Sequence, residues 1–96
     1  MVTIVVIKYL KEGMLEEWLK AVAPIVEASK SEEGNISYHI QVDQENPNVV
    51  IFLEEWESAQ YVRESHCATK HVVELVPLLE RFYEKPGLEY WTENKI

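Results

Sequence analysis

The sequence predicts an α+β fold, a layer of helices on one face of an antiparallel four-stranded sheet, in the order β-α-β-β-α-α-β. Three observations lead there. Short runs of β-branched residues alternate with longer stretches of helical period. Two of the apolar runs are joined by five turn-forming residues, the signature of a hairpin. A chain of 96 residues that is 47% hydrophobic has the length and apolar content of one folded domain. A single domain over residues 1–96 is expected.

Thr3 to Leu10 is rich in β-branched residues and too short for a helix, so it reads as a strand. Lys11-Glu12-Gly13 turns the chain. From Met14 the period changes: Leu15, Trp18, Leu19, Val22, Ile25, Val26 and Ser29 fall on one side, and Glu16, Glu17, Lys20 and Glu27 on the other. The spacing predicts an amphipathic helix, bent at Pro24 and stopped by Gly34. Ile36–Asp43 and Val49–Trp56 form a hairpin through residues 44–48. With Asp43 opposite Val49, Tyr38 lies opposite Glu54. Ile36, Tyr38, Ile40, Val50, Phe52, Glu54 and Trp56 then share one face, and Ser37, His39, Gln41, Ile51, Leu53 and Glu55 the other. Ser58 caps a short helix running to about His66, and Thr69 caps a longer one bent at Pro77. Val72, Leu75, Val76, Leu79, Phe82 and Tyr83 lie on its inner face. Pro86-Gly87 ends it, and Leu88–Thr92 is a last short strand.

One layer of helices covers one side of a sheet. The first strand and Val49–Leu53 are nevertheless apolar on both sides, whereas an antiparallel sheet with a wet face alternates. The expected solution is a homodimer with the two sheets face to face.

The charge sets limits on partners. Seventeen acidic residues against nine basic ones give a net charge of -8, which repels nucleic acid and anionic membranes. The single cysteine, Cys67, excludes an internal disulfide and a multi-cysteine zinc site. The N-terminal apolar run lacks a basic lead-in and is too short for a signal peptide or a membrane span, so a reduced, cytoplasmic setting is expected. Gly13, Gly34 and Gly87 are widely spaced, so no glycine-rich phosphate loop exists and no nucleotide or flavin pocket of the usual kind is expected.

The densest polar cluster is Glu54, Trp56, His66 and His71. Helical spacing puts Ala59, Val62 and His66 on one face, so His66 points inward. A neutral imidazole there is suited to take a proton near pH 7. Its structural role would be to hydrogen-bond the last carbonyls of the short helix. His71 falls in the first turn of the next helix, where the dipole disfavours a positive charge. Glu54 interrupts an apolar strand, and a buried carboxylate must be paired, hydrogen-bonded or protonated. Pairing with Arg63 or a backbone donor is the structural reading, and an acid or base of raised pKa the functional one. Tyr38 and Trp56 suit either a flat aromatic pocket or the core. The His66–His71 spacing matches no familiar ligand set, and His39 falls on the opposite sheet face, so no metal is expected. Cys67 reads as an inert small residue.

Three segments carry a resemblance. Glu33-Gly34-Asn35-Ile36-Ser37-Tyr38 resembles the entry to the second strand of the antibiotic biosynthesis monooxygenase family. Glu54-Glu55-Trp56-Glu57-Ser58 resembles its passage from strand into the short helix. His66-Cys67-Ala68-Thr69-Lys70-His71-Val72 resembles its paired-histidine segment. The resemblance implies a ferredoxin-like domain in a dimeric barrel, with a pocket between sheet and helices. It also implies oxygen insertion into an aromatic or quinol substrate with no cofactor: no flavin, haem or metal. His66 would be the first candidate for the base and His71 the second, with Tyr38, Trp56, Glu54 and Phe82 contacting substrate. Haem-degrading relatives use an asparagine on the first strand and a tryptophan on the short helix. This first strand has no asparagine, and the helix position falls at His66. Two alternatives stay open: a non-catalytic barrel binding a small hydrophobic ligand, and an isomerase of a phosphorylated autoinducer-type sugar. The latter would need a basic cluster that Lys8, Arg63 and Lys70 do not evidently form.

Overall fold

The computed structural model describes residues 1–96. Four antiparallel strands, β1 (Val2–Leu10), β2 (Asn35–Val42), β3 (Val49–Trp56) and β4 (Tyr83–Thr92), stand in the order β2-β3-β1-β4. This is the ferredoxin-like arrangement. Helices α1 (Leu15–Lys30), α2 (Ala59–Glu64) and α3 (Lys70–Leu75) accompany it, with 3₁₀ turns at His66–Ala68 and Val76–Phe82. β1 is a central strand, paired on both edges, with Val5 and Ile7 only half-buried on the face that no helix covers.

The helix of the first half buries Trp18, Val22, Ile25 and Ser29, a 4-3-4 spacing that makes a single stripe. Pro24 lies within α1 on the exposed side, as does Lys20, whose carbonyl loses its partner there. Glu16 and Glu17 in the first turn and Lys30 in the last complement the helix dipole.

The hairpin has the register read from sequence: Tyr38 faces Glu54, and the Asp43 N–H donates to the Val49 carbonyl at 2.9 Å. One residue departs from it. Asn35 faces Trp56 and Ser37 faces Glu55, so Ile36 is the extra residue of a bulge and is exposed rather than on the covered face. The Asn35 side-chain amide bridges the bulge, donating to the carbonyls of Ser37 and Glu55.

The C-terminal third differs more. The helix capped by Thr69 stays α-helical only to Leu75, because Pro77 removes the N–H that would bond the Val73 carbonyl, and the chain tightens into a 3₁₀ turn. The change of pitch keeps Leu79 and Phe82 buried and turns Val76 outward. Pro86-Gly87 does not end a helix. It lies inside β4, which starts at Tyr83, five residues before the expected start. The proline is tolerated because β4 is an edge strand whose register shifts at this point. A Cβ on Gly87 would sit 2.1 Å from the Ile7 carbonyl oxygen, so the close approach of β4 to β1 requires glycine.

Side chains on the covered face of the sheet include Ile4, Tyr38, Val50, Phe52, Glu54 and Trp56, all buried. The other face carries Val5, Ile7, Ile51 and Leu53, with Leu88 and Tyr90 exposed on the edge strand. No helix of the chain is long and apolar enough to cross a membrane.

Candidate active site

The site begins where α1 ends. Ser31 and Glu32 close the helix with backbone bonds to Ala28 and Ser29, which leaves the Glu32 side chain pointing across the helix layer. Gly34 then brings the chain against Tyr61: a Cβ at Gly34 would meet the Tyr61 ring at 2.6–2.8 Å. From the other direction, Ser58 caps α2 and Thr69 caps α3, the latter by accepting from the Val72 N–H. The Thr69 hydroxyl also donates to the His66 carbonyl at 2.7 Å, which locks the corner between the two histidines.

These elements converge on one carboxylate. Glu32 Oε2 lies 2.6 Å from His66 Nδ1 and 2.8 Å from His71 Nε2, and Tyr61 donates to Oε1 at 3.4 Å. Counting protons assigns the tautomers. The nitrogen facing a carboxylate carries the hydrogen, so His66 is Nδ1–H and its Nε2 keeps a lone pair. Thr69 has already given its one proton to the His66 carbonyl, so its contact with His71 Nε2 at 3.2 Å makes that nitrogen a donor as well. Burial holds the His66 imidazole below its ordinary range, and hydrogen bonding to Glu32 offsets this only in part. At neutral pH His66 is therefore a free base held by an acceptor behind it, the arrangement that orients histidine in hydrolytic triads.

His66 stands on the wall of a cavity of about 180 Å³ between the sheet and the last helical segment. Ile4, Val6, Phe52, Leu79 and Trp91 supply much of its apolar lining. Its polar groups are His66, Glu54, Tyr38, Tyr83, Glu80, Glu89, Cys67 and a single ammonium, Lys8. Burial, and then the charge of Glu54, push the Tyr38 phenol far above its ordinary range, so it stays protonated. Burial, followed by Glu89, Glu54 and Glu32, pushes the Cys67 thiol up as well, which disfavours the thiolate.

Of the residues singled out from sequence, His66, Glu54 and Tyr38 reach this cavity. His71 does not. It sits behind Glu32 and borders a separate surface hollow with Lys70 and Glu74. Trp56 is fully buried behind the wall, its ring 4.3 Å from that of His66 and its indole N–H donating to Glu54 Oε1 at 3.0 Å. Phe82, at the end of the 3₁₀ turn, is buried in the core and does not line the cavity. The expected Arg63 partner for Glu54 is absent: Arg63 lies over the Trp91 ring at 4.8 Å, and the Trp56 N–H takes its place.

Glu32 is the residue that sequence reasoning missed. It lies in the polar segment Lys30–Glu33 between the helix and Gly34, where no apolar period marks an inward position. The available signal was charge balance, since two inward-facing histidines need an acceptor. The same omission bears on metal binding. Donor atoms of Glu32, His66 and His71 all lie within 4.8 Å of one another, so a two-histidine, one-carboxylate set exists that the His66–His71 spacing did not reveal. Its nitrogen–oxygen separations of 2.6 and 2.8 Å are those of charge-assisted hydrogen bonds.

Solved structures share this architecture over essentially the whole chain. A structure described as an antibiotic biosynthesis monooxygenase superposes with a TM-score of 0.90 at 26% identity, covering 100% of both chains. A conserved protein from Methanosarcina mazei Go1 superposes at 0.92 and 26% identity, covering 98% of this chain and 92% of its own. SO0527 from Shewanella oneidensis, at 24% identity, shares the fold with a TM-score of 0.81, covering 95% and 89%. No curated protein matches the sequence. The profile of the antibiotic biosynthesis monooxygenase family matches residues 1–77, a span that holds Glu32, Glu54, His66 and His71, and with that match the chain belongs to the antibiotic biosynthesis monooxygenase family.

Proposed function

We propose that this chain, acting as one domain over residues 1–96, is a cofactor-independent monooxygenase that oxidises a hydroxylated aromatic or quinol with molecular oxygen. The observation that carries this reading is the Glu32–His66 pair at the wall of an apolar cavity. Oxygen is a triplet and does not react at speed with a closed-shell phenol. A phenolate gives up one electron readily, and the resulting radicals combine. The protein then has three tasks: remove a proton, hold the anion and keep water out. His66 Nε2 takes the proton. Glu32 stabilises the imidazolium as it forms, and His71 and Tyr61 hold Glu32 in place. Tyr38 and the apolar lining seat the ring.

The wall's charge argues against the phosphorylated-sugar alternative. Glu54, Glu80 and Glu89 face the cavity against Lys8 alone. Arg63 is engaged with Trp91 and Lys70 with Glu74, so no basic cluster is available for a phosphate.

We further infer a homodimer. The sheet face bearing Val5, Ile7, Ile51, Leu53, Leu88 and Tyr90 has no helix over it, and a second copy of the same face supplies a matching apolar cover. The cytoplasm, where Cys67 stays reduced, suits such an assembly.

The test is oxygen uptake by protein stripped of metal and flavin, with a panel of quinols. Uptake with one atom of the consumed oxygen incorporated into the product supports the reading, and quinone formed with an equivalent of hydrogen peroxide and no incorporation contradicts it. Binding of several quinols without uptake by any would leave the non-catalytic barrel in its place.

A further inference from the structure

Glu54 has no cationic partner, although only 6% of its surface is exposed. It stands on β3 between Ile4 of β1 and Tyr38 of β2. One of its oxygens, Oε1, accepts from the Trp56 indole at 3.0 Å. The other has no partner within the protein. The one side-chain polar atom that is both sealed and unpaired is Ser29 Oγ, so Glu54 Oε2 opens on the cavity.

The indole fixes more than position. An indole nitrogen can only donate, so Oε1 must be an acceptor in either protonation state. When the carboxyl holds a proton, that proton sits on Oε2, facing the ligand. The titratable groups around the carboxyl are Tyr38, His66, Glu89, Glu80, Tyr83, Cys67 and Lys8 on the cavity wall, with Glu32 behind. Burial, then the charges of Glu89 and Glu32, outweigh the Trp56 hydrogen bond and push this carboxyl up to about 7. An apolar ligand filling the cavity removes more water and acts in the same direction.

We propose that Glu54 acts on the bound molecule as a neutral carboxylic acid, presenting Oε2–H to a substrate oxygen and supplying the proton that leaves in water when the peroxy adduct breaks down. The proposal rests on the monooxygenase reading for its second half and on the burial and hydrogen bonding of Glu54 for its first. The steps balance. His66 takes the phenolic proton, the phenolate and oxygen form a C–O bond, and the imidazolium returns its proton to the terminal peroxide oxygen. His66, neutral again, then removes the hydrogen from the oxygenated carbon, whose electron pair becomes the new C=O bond. The O–O bond breaks towards its outer oxygen, and the departing hydroxide takes the Glu54 proton. The net change is phenol plus oxygen to quinone plus water. The imidazolium left at the end reprotonates Glu54 through solvent.

Two measurements test this. The first is an infrared difference spectrum between wild type and Glu54→Gln with 1,4-naphthoquinone bound at pH 6, in which the variant should lack a protonated-carboxyl C=O band. No such band in wild type overturns the neutral-acid role, whatever the enzymology shows. The second, with 1-naphthol as substrate, is the share of consumed oxygen recovered as 1,4-naphthoquinone. Glutamine donates a hydrogen bond but has no proton to transfer, so this share should fall at least about tenfold in Glu54→Gln, with peroxide in its place. An unchanged quinone share without peroxide overturns the proton-delivery step. Failure of wild type to consume oxygen with 1-naphthol or any quinol defeats the monooxygenase reading and this step together, and the infrared band decides the donor role separately.

Discussion

Glu32 and His66 lie 34 residues apart in sequence and 2.6 Å apart in space, one at the exit of α1 and the other in the turn after α2. The pair turns a buried histidine into a directed one. With Nδ1–H held by the carboxylate, the lone pair of this cavity-lining histidine is left on Nε2.

Glu32→Gln keeps the shape of the side chain and removes its charge. The amide oxygen can still accept a hydrogen bond but carries no charge, so the imidazolium loses its counter-charge and kcat for quinol oxidation should fall about 10–100-fold. Quinol affinity should change little, since Glu32 does not line the cavity. Steady-state oxygen uptake and equilibrium binding, measured on the same preparation, check both parts.

Glu54 makes stability depend on pH with a definite sign. Its carboxyl is raised from an ordinary value of 4.5 to about 7 in the fold, so between those values the native state holds a proton that the unfolded chain has lost. Wild type should therefore lose stability as pH rises through this window, by an amount on the order of 3 kcal/mol. Glu54→Gln should be free of that loss and should gain on wild type from pH 5 to pH 8 in urea unfolding. His66, lowered in the fold, acts oppositely: it adds a loss of stability below about pH 6.5 that both proteins share.

The order of elements along the chain and the hairpin register were legible because the turn-forming loop at 44–48 fixes the pairing of β2 with β3, whose burial in the structure alternates strictly. The bulge at Ile36 was not, because a single extra residue leaves the apolar pattern intact. The start of β4 was hidden by Pro86-Gly87, which reads as a stop locally and becomes tolerable only at a sheet edge. His66, Glu54 and Tyr38 were legible as inward positions on periodic elements. Glu32 was not, because no local period governs a helix exit. Trp56 and Phe82 were legible as inward positions, but the structure buries them behind the cavity wall, where they do not touch a ligand.

Gly87→Ala probes the edge strand directly. The added carbon would meet the Ile7 carbonyl, so β4 must separate from β1. A loss of about 2–3 kcal/mol in chemical denaturation is expected, with the same change at Gly13, whose φ is +80° but whose surroundings are open, costing less.

The uncovered sheet face predicts association. Light scattering at micromolar concentration should give twice the 11.2 kDa chain mass. Ile7→Lys with Leu53→Lys, which places two charges at the centre of that face, should yield monomer. A wild-type mass of one chain would contradict the dimer.

The central claim is that His66 is the base, and oxygen uptake by His66→Ala beside wild type tests it most directly. With metal-free, flavin-free protein and a quinol that wild type oxidises, the variant should be slower by about 10²–10⁴-fold while remaining folded by circular dichroism. Oxidation at the wild-type rate by His66→Ala would contradict the account.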